Sequence, residues 1–278
     1  MKLQVVSFVT KNHLIPLILT IVYIGNAQGI IIRHDVGPAR YEVRSSDYPA
    51  VFFLEQQGNR RICAATVIHS KWAITAAHCL DETMVQNTID NGGQYAVRIG
   101  GKDRDIDAVI RHPNYYQTNV DEVDLALLRF QGDSLTPRPI PLQIENNELG
   151  QEVSIFGWGY FGLGTFGRQY NDSELRRAKN RIFEAARRLR IRFEDPRTRN
   201  SGALQLEGMP SLGDSGGPAI INLEVEPRLA GVAVGEQIQP GFSEETQGKY
   251  GSIAVYERIS AHIKWIETVI GAKAPFDR

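Results

Sequence analysis

Cysteine is scarce in this chain: two residues in 278, alongside six histidines. None of them falls at the usual ligand spacings, so a structural metal site has no support. Charge of either sign is not in excess. The 31 Lys and Arg face 32 Asp and Glu, a net charge of −1, and no global electrostatic argument points to nucleic acid or an anionic membrane as partner. No internal repeat and no low-complexity tract is visible. Beyond residue 24 no stretch is long and apolar enough to span a bilayer.

What is there begins with residues 1–27. Lys2 and Lys11 precede the apolar run LIPLILTIVYI at 14–24, and small residues at Gly25 and Ala27 follow. This pattern reads as a secretory leader cleaved after Ala27, which predicts a secreted protein, extracellular or periplasmic. A membrane anchor is the alternative, but a spanning helix needs about 20 apolar residues. Export in turn makes Cys63 and Cys79 candidates for a disulfide, because such bridges persist outside the cytosol and the count is even. Two free buried thiols are the other reading.

The length allows one large or two small domains with adequate cores. AVFFLE at 50–55, AATVIH at 64–69, WAITAA at 72–77, YAVRIG at 95–100 and EVSIFGWG at 152–159 are short, apolar and rich in β-branched residues. Turn signals separate them, among them Asn91-Gly92-Gly93 and His112-Pro113-Asn114. Many short strands with such punctuation predict antiparallel barrels or sandwiches. Near the C-terminus Ile259, Ile263, Ile266 and Ile270 recur at helical spacing and predict an amphipathic helix of about three turns, packed on the last strands.

Residues 168–199 hold 11 Lys or Arg against five Asp or Glu. Leu175, Ala178, Ile182 and Leu189 fit a helical period there. The segment is either an exosite for an acidic partner or a solvated basic face.

Three short motifs carry chemistry. Acyl transfer by a serine needs a nucleophile, a base to take its proton and a buried carboxylate to orient that base. Ser215 lies in GDSGGP, where glycines let the backbone turn tightly and bring N–H groups near a substrate oxygen. His78 ends AITAAH beside Cys79. Asp124 stands before LALL, and an acid at the entrance of a buried strand must be met by polar groups. Taken singly, the bland readings are a turn serine, a packed core histidine and a strand-capping aspartate. Asp121 and Glu122 lie farther from the apolar run and look solvent-facing.

TAAHC, DLALL and GDSGGP, in the order His78, Asp124, Ser215, resemble the chymotrypsin and trypsin-like serine proteases. The likeness extends through YPAVFFLE, VRIGG at 97–101, HPNY at 112–115, FGWG at 156–159, LAGVAVG at 229–235 and VYERISAHIKWI at 255–266. It implies an all-β fold of two six-stranded antiparallel β-barrels, residues 28–148 and 149–278, the second followed by a C-terminal helix. It also reads SELRRAKNRI as a strand, against the helical period. The implied roles are nucleophile for Ser215, general base for His78 and orienting carboxylate for Asp124, with an oxyanion hole at the N–H groups of Gly213 and Ser215. A polypeptide substrate, a monomer and no cofactor are expected, with neither nucleic acid nor a stable membrane anchor as partner.

The sequence departs from that pattern around the specificity pocket. Met209 stands where the family has its floor residue, Ala254 where glycine is usual, and Glu236 where the pocket wall ends. Met209 and Ala254 favour a small or medium apolar side chain on the acyl side of the cut and argue against standard trypsin-like specificity for Lys or Arg; an inward Glu236 would favour a basic one. Ser211 falls where the family has a cysteine. No basic residue precedes Ile30 in GIIIRHDVG, so activation is expected with little or no separate propeptide, an amine near Ile30 pairing with Asp214. The rival functions are a non-catalytic binding protein on the same fold and a hydrolase of small esters.

Overall fold

The computed structural model describes residues 29–117, 121–132, 137–238 and 247–274. The expected leader at 1–27 lies outside the described residues. A two-residue strand, β1 (Ile31–Ile32), opens the described chain. Strands β2 (Val51–Gln57), β3 (Arg60–His69) and β4 (Trp72–Thr75) follow. Two short helices, α1 (Cys79–Glu82) and α2 (Val85–Asp90), then lead to β5 (Tyr95–Ile99), β6 (Lys102–Arg111) and β7 (Ala126–Phe130). The second half holds β8 (Glu152–Gly157), β9 (Tyr160–Leu163), β10 (Gly167–Asn171), β11 (Arg176–Ala185) and β12 (Arg188–Arg192). It ends with β13 (Gly208–Met209), β14 (Pro218–Ile221), β15 (Arg228–Glu236), β16 (Ile253–Arg258) and helix α3 (Ile263–Ile270).

In the first half six strands pair in the order β2-β3-β4-β7-β6-β5, and β2 lies against β5, so the sheet is a nearly closed barrel. The second half is a closed barrel, β11-β12-β16-β15-β14-β8. Every neighbouring pair in both is antiparallel. The expected all-β, two-barrel architecture is what the chain adopts.

The basic segment at 168–199 is where periodicity and fold part. In β11 Arg176, Ala178, Asn180 and Ile182 face inward, while Arg177, Lys179 and Arg181 face outward. The alternation is real, but two of its inward positions are polar, so an apolar count misses it. Tertiary pairing with β8 and β12 decides the strand.

Each chain end crosses to the other half. Ile30, Ile31 and Ile32 are fully buried in the second core, where β1 runs antiparallel to β13 and parallel to β9. The C-terminal helix is shorter than the period suggested: one 3-10 turn at Ile259–Ala261, then α3. His262, at φ −117°, separates them, and Gly271 in the left-handed region caps the end. Rather than resting on the last strands alone, α3 reaches the first core, with Trp265 edge-on to His112 at 4.7 Å between ring centres.

Candidate functional site

His78 sits just after the buried Ala76 and Ala77, at the point where β4 gives way to α1. The Cys63–Cys79 bridge is formed, with Cα atoms 5.8 Å apart, and ties the start of α1 to β3. Both sulfurs near His78 are therefore joined to each other and offer no thiolate to a metal. Asp124 comes from the approach to β7 and is nearly buried. Its Oδ2 lies 2.6 Å from His78 Nδ1, and its Oδ1 accepts the His78 backbone N–H at 2.9 Å. Two bonds from one carboxylate fix the imidazole's position and plane, with Nδ1 facing the acid and Nε2 left free. Asp121 and Glu122 are exposed.

The His78 ring feels opposed effects. Burial pushes its pKa down, but the hydrogen bond and charge of Asp124, helped by Glu82 and Asp81, outweigh this and the net shift is upward.

Ser215 stands in the turn between β13 and β14. Across the barrel junction, Cys63 N–H donates to the Gly213 carbonyl at 3.1 Å and Ala64 N–H to the Ser215 carbonyl at 2.7 Å. Those carbonyls are thereby turned toward the first barrel. The N–H groups of Gly213 and Ser215 meet no acceptor among the described residues. Gly216 makes the close approach possible: at φ 77°, a Cβ there would come within 2.1 Å of the Ala64 carbonyl oxygen and 2.3 Å of Thr75 Oγ1.

A cleft of about 320 Å³ brings His78 and Ser215 together with Leu212, Val234, Glu236 and Gln247. Among the described residues, no hydrogen bond joins Ser215 Oγ to His78. Such bonds are often long before substrate arrives. Met209 and Ala254 are buried and are not among the residues that line the cleft. Glu236 does line it, accepting the Ser252 hydroxyl at 2.5 Å and the Gly248 N–H at 3.1 Å. Burial raises its pKa above the usual carboxylate range despite these bonds.

Asp214 points away from the cleft into the second barrel. Its carboxylate accepts Gly159 N–H at 2.6 Å and Ser211 N–H at 2.8 Å, and it is wholly buried. Burial pushes its pKa up to about 7, against those bonds and the charge of Arg176. Residue 29 runs past the same loop, since a Cβ at Gly29 would lie 2.8 Å from the carbonyl carbon of Trp158. Ser211, where a cysteine was expected, closes the Asp214 turn through its backbone.

The basic segment is largely paired within the molecule. Arg177 meets Glu224 at 2.7 Å, Arg181 meets Glu152 at 3.0 Å and Arg197 meets Asp195 at 2.7 Å, while Arg190 pairs with Glu184. This favours the solvated face over an exosite. Among the buried charges that escaped sequence reasoning, two stand near the site. Arg176 is fully buried with Asp172 and Glu42 as partners, and Glu257 is fully buried beside Asp124. The one available signal was an acid inside the apolar run IAVYE.

The chain matches the Trypsin family over residues 36–266. It is 28% identical over 259 residues to vitamin K-dependent protein C of Rattus norvegicus, with 83% of this chain and 50% of that protein covered. The chain thus spans about half the length of that relative. Granzyme M of Homo sapiens is 30% identical over 185 residues, covering 64% of this chain and 71% of the relative. Serine protease SP24D of Anopheles gambiae is 30% identical over 227 residues, covering 77% and 74%. Among solved structures, neuropsin, a serine protease expressed in the limbic system of mouse brain, superposes with a TM-score of 0.59. The match covers 83% of this chain and 98% of that one at 22% identity, a likeness of fold.

Proposed function

Because the chain belongs to the trypsin family, we propose that it is a serine endopeptidase in which Ser215, His78 and Asp124 act as one unit. The observation that carries this reading is the short His78 Nδ1 to Asp124 Oδ2 contact, 2.6 Å, beside a cleft shared by His78 and Ser215. With its proton held on Nδ1 by Asp124, the imidazole presents a lone pair at Nε2. Ser215 Oγ attacks the scissile carbonyl as Nε2 takes its proton. The carbonyl oxygen becomes an oxyanion, met by the N–H groups of Gly213 and Ser215, where one lost donor costs about 10²–10³ in turnover. As the tetrahedral adduct collapses, Nε2–H returns the proton to the leaving amine and the acyl-enzyme remains. A water then repeats the cycle and frees the acid.

The cleft's chemistry favours a basic side chain on the acyl side of the cut. Glu236 lines the cleft, whereas Met209 and Ala254, on which the apolar expectation was built, do not. A cationic side chain would meet Glu236 beside Val234 and Gly235, in a cleft that Glu82 also lines.

Export rests on the leader-like residues 1–27. Among the described residues no helix is long and apolar enough to cross a membrane. Asp214 is the partner proposed for an amine released near Ile30, and N-terminal sequencing of active protein tests it: a start well beyond Ile32 would leave three buried isoleucines missing and sink the idea.

Labelling with a fluorophosphonate probe tests the activity. Wild type should react, while Ser215→Ala and His78→Ala should not. A folded, mature wild type that takes no label would favour a binding protein on the same fold.

A further inference from the structure

Glu257, the fifth residue of β16, has no accessible surface. A carboxylate in that position must be compensated, and its partners are few. Oε1 accepts the backbone N–H of Asp124 at 3.1 Å and the Nε–H of Arg188 at 2.7 Å. Arg188 stands directly across from it in the β12–β16 register. Oε2 lies 3.6 Å from His262 Nε2, and neither atom has a hydrogen-bond partner. The remaining neighbour is His112, whose ring stands edge-on to His262 at 5.2 Å. The bond and charge of Arg188, with the Asp124 N–H, oppose the effect of burial, and Glu257 is held below the usual carboxylate range, so it is ionised.

The destination of the Oε1 bond is what matters. Asp124 belongs to the first barrel, Glu257 to the second. Asp124 spends both carboxylate oxygens on His78. Its own main chain is gripped from behind by Glu257. Arg188 and Arg187 reinforce the grip by donating to the Glu122 carbonyl, at 3.2 Å and 2.7 Å, two residues upstream.

We propose that Glu257 is a positioning residue for the proton-transfer pair: it carries the second barrel's frame to the Asp124 backbone and so sets where the His78 imidazole stands relative to Ser215. Arg188 supplies the counter-charge, which keeps the carboxylate ionised without drawing on Asp124. The inference rests on the reading of His78 and Asp124 as catalytic groups. Glu257 touches neither substrate nor reacting atoms. A misplacement of about 1 Å at a catalytic group costs about 10²-fold, so loss of this tether should be read in turnover and not in substrate binding.

Three variants separate placement from stability. Glu257→Met removes the acceptor but strands Arg188. Arg188→Met with Glu257→Met removes the whole ion pair, a replacement that is often neutral or stabilising for a buried pair. Glu257→Gln keeps an acceptor for Asp124. On a peptide substrate, the double variant should stay folded and keep wild-type KM while kcat falls about 10- to 100-fold, and Glu257→Gln should recover most of that loss. A double variant with wild-type kcat overturns the proposal, as does a loss confined to KM or a Gln variant as impaired as the Met variants. If wild type hydrolyses no peptide, the activity reading fails separately. The downfield proton resonance of His78 Nδ1–H then decides placement: it should move in the double variant, and an unmoved resonance overturns the tether.

Discussion

His78 and Asp124 are joined twice, side chain to side chain at 2.6 Å and His78 backbone N–H to the Asp124 carboxylate at 2.9 Å. The second bond fixes the carboxylate so that the first can fix the ring. Asp124→Asn keeps the shape of the pair but can donate where it should accept, which favours the wrong imidazole tautomer. Turnover should fall by about 10⁴-fold, the loss typical of a serine-protease triad. Steady-state kinetics on a peptide ester would check it, and a loss below tenfold would contradict the assigned role.

The same pair sets a pH dependence. Burial alone would lower the His78 pKa, and Asp124 reverses that, so the net shift is upward. Only the neutral ring can take the Ser215 proton. Plotted against pH, kcat/KM should therefore rise through a midpoint above the ordinary histidine value of about 6.5. In Asp124→Asn burial prevails and the midpoint should move below that of wild type. For folding, the raised pKa means a stabilising contribution present below about pH 6.5 and lost as pH climbs through the folded value.

Gly157 is held to glycine by Asp214. A Cβ at residue 157 would stand 1.9 Å from Asp214 Oδ1. Gly157→Ala should displace that carboxylate, disturb the turn carrying Gly213 and Ser215, and cost about 1–3 kcal/mol as an overpacked core substitution. Urea unfolding and probe labelling should both report it. Gly202, with open space around it, supplies the control, and Gly202→Ala should behave as wild type.

Glu236 carries the expected preference for a cationic side chain. In Glu236→Gln the charge-assisted contact is lost, and cleavage after Lys or Arg should weaken on the order of 10-fold relative to other residues. A peptide-library profile compares the two proteins directly. An unchanged profile would return the apolar reading.

Asp214 predicts a second pH effect, of opposite chemical type. Its pKa stands at about 7 against an ordinary 3.8 because burial disfavours its charge. A raised carboxylate contributes stability below its unfolded value and loses it as pH climbs from about 4 to about 7. Chemical denaturation across that window should show the decline in chain that still extends upstream of Ile30. Protein beginning at Ile30 should lose it, because a neighbouring amine would favour the charged form.

The candidate site was legible in the sequence by itself. His78, Asp124 and Ser215 announced themselves through TAAHC, DLALL and GDSGGP because each needs special residues next to it in the chain: small ones before the histidine, apolar ones after the aspartate, glycines around the serine. The strands of the first barrel were legible for a similar reason, since their burial is nearly continuous, as in β3. Long-range compensation was not. β11 hides its alternation behind inward Arg176 and Asn180, whose partners come from residues 42, 172 and 208. The resemblance reads Met209 and Ala254 as pocket residues; packing buries both in the second barrel, while Glu236 stands in the cleft lining. Glu257 is the plainest case: a buried charge is tolerable only where partners from other strands meet it, and only the closed second barrel, pressed against Asp124, decides that they do.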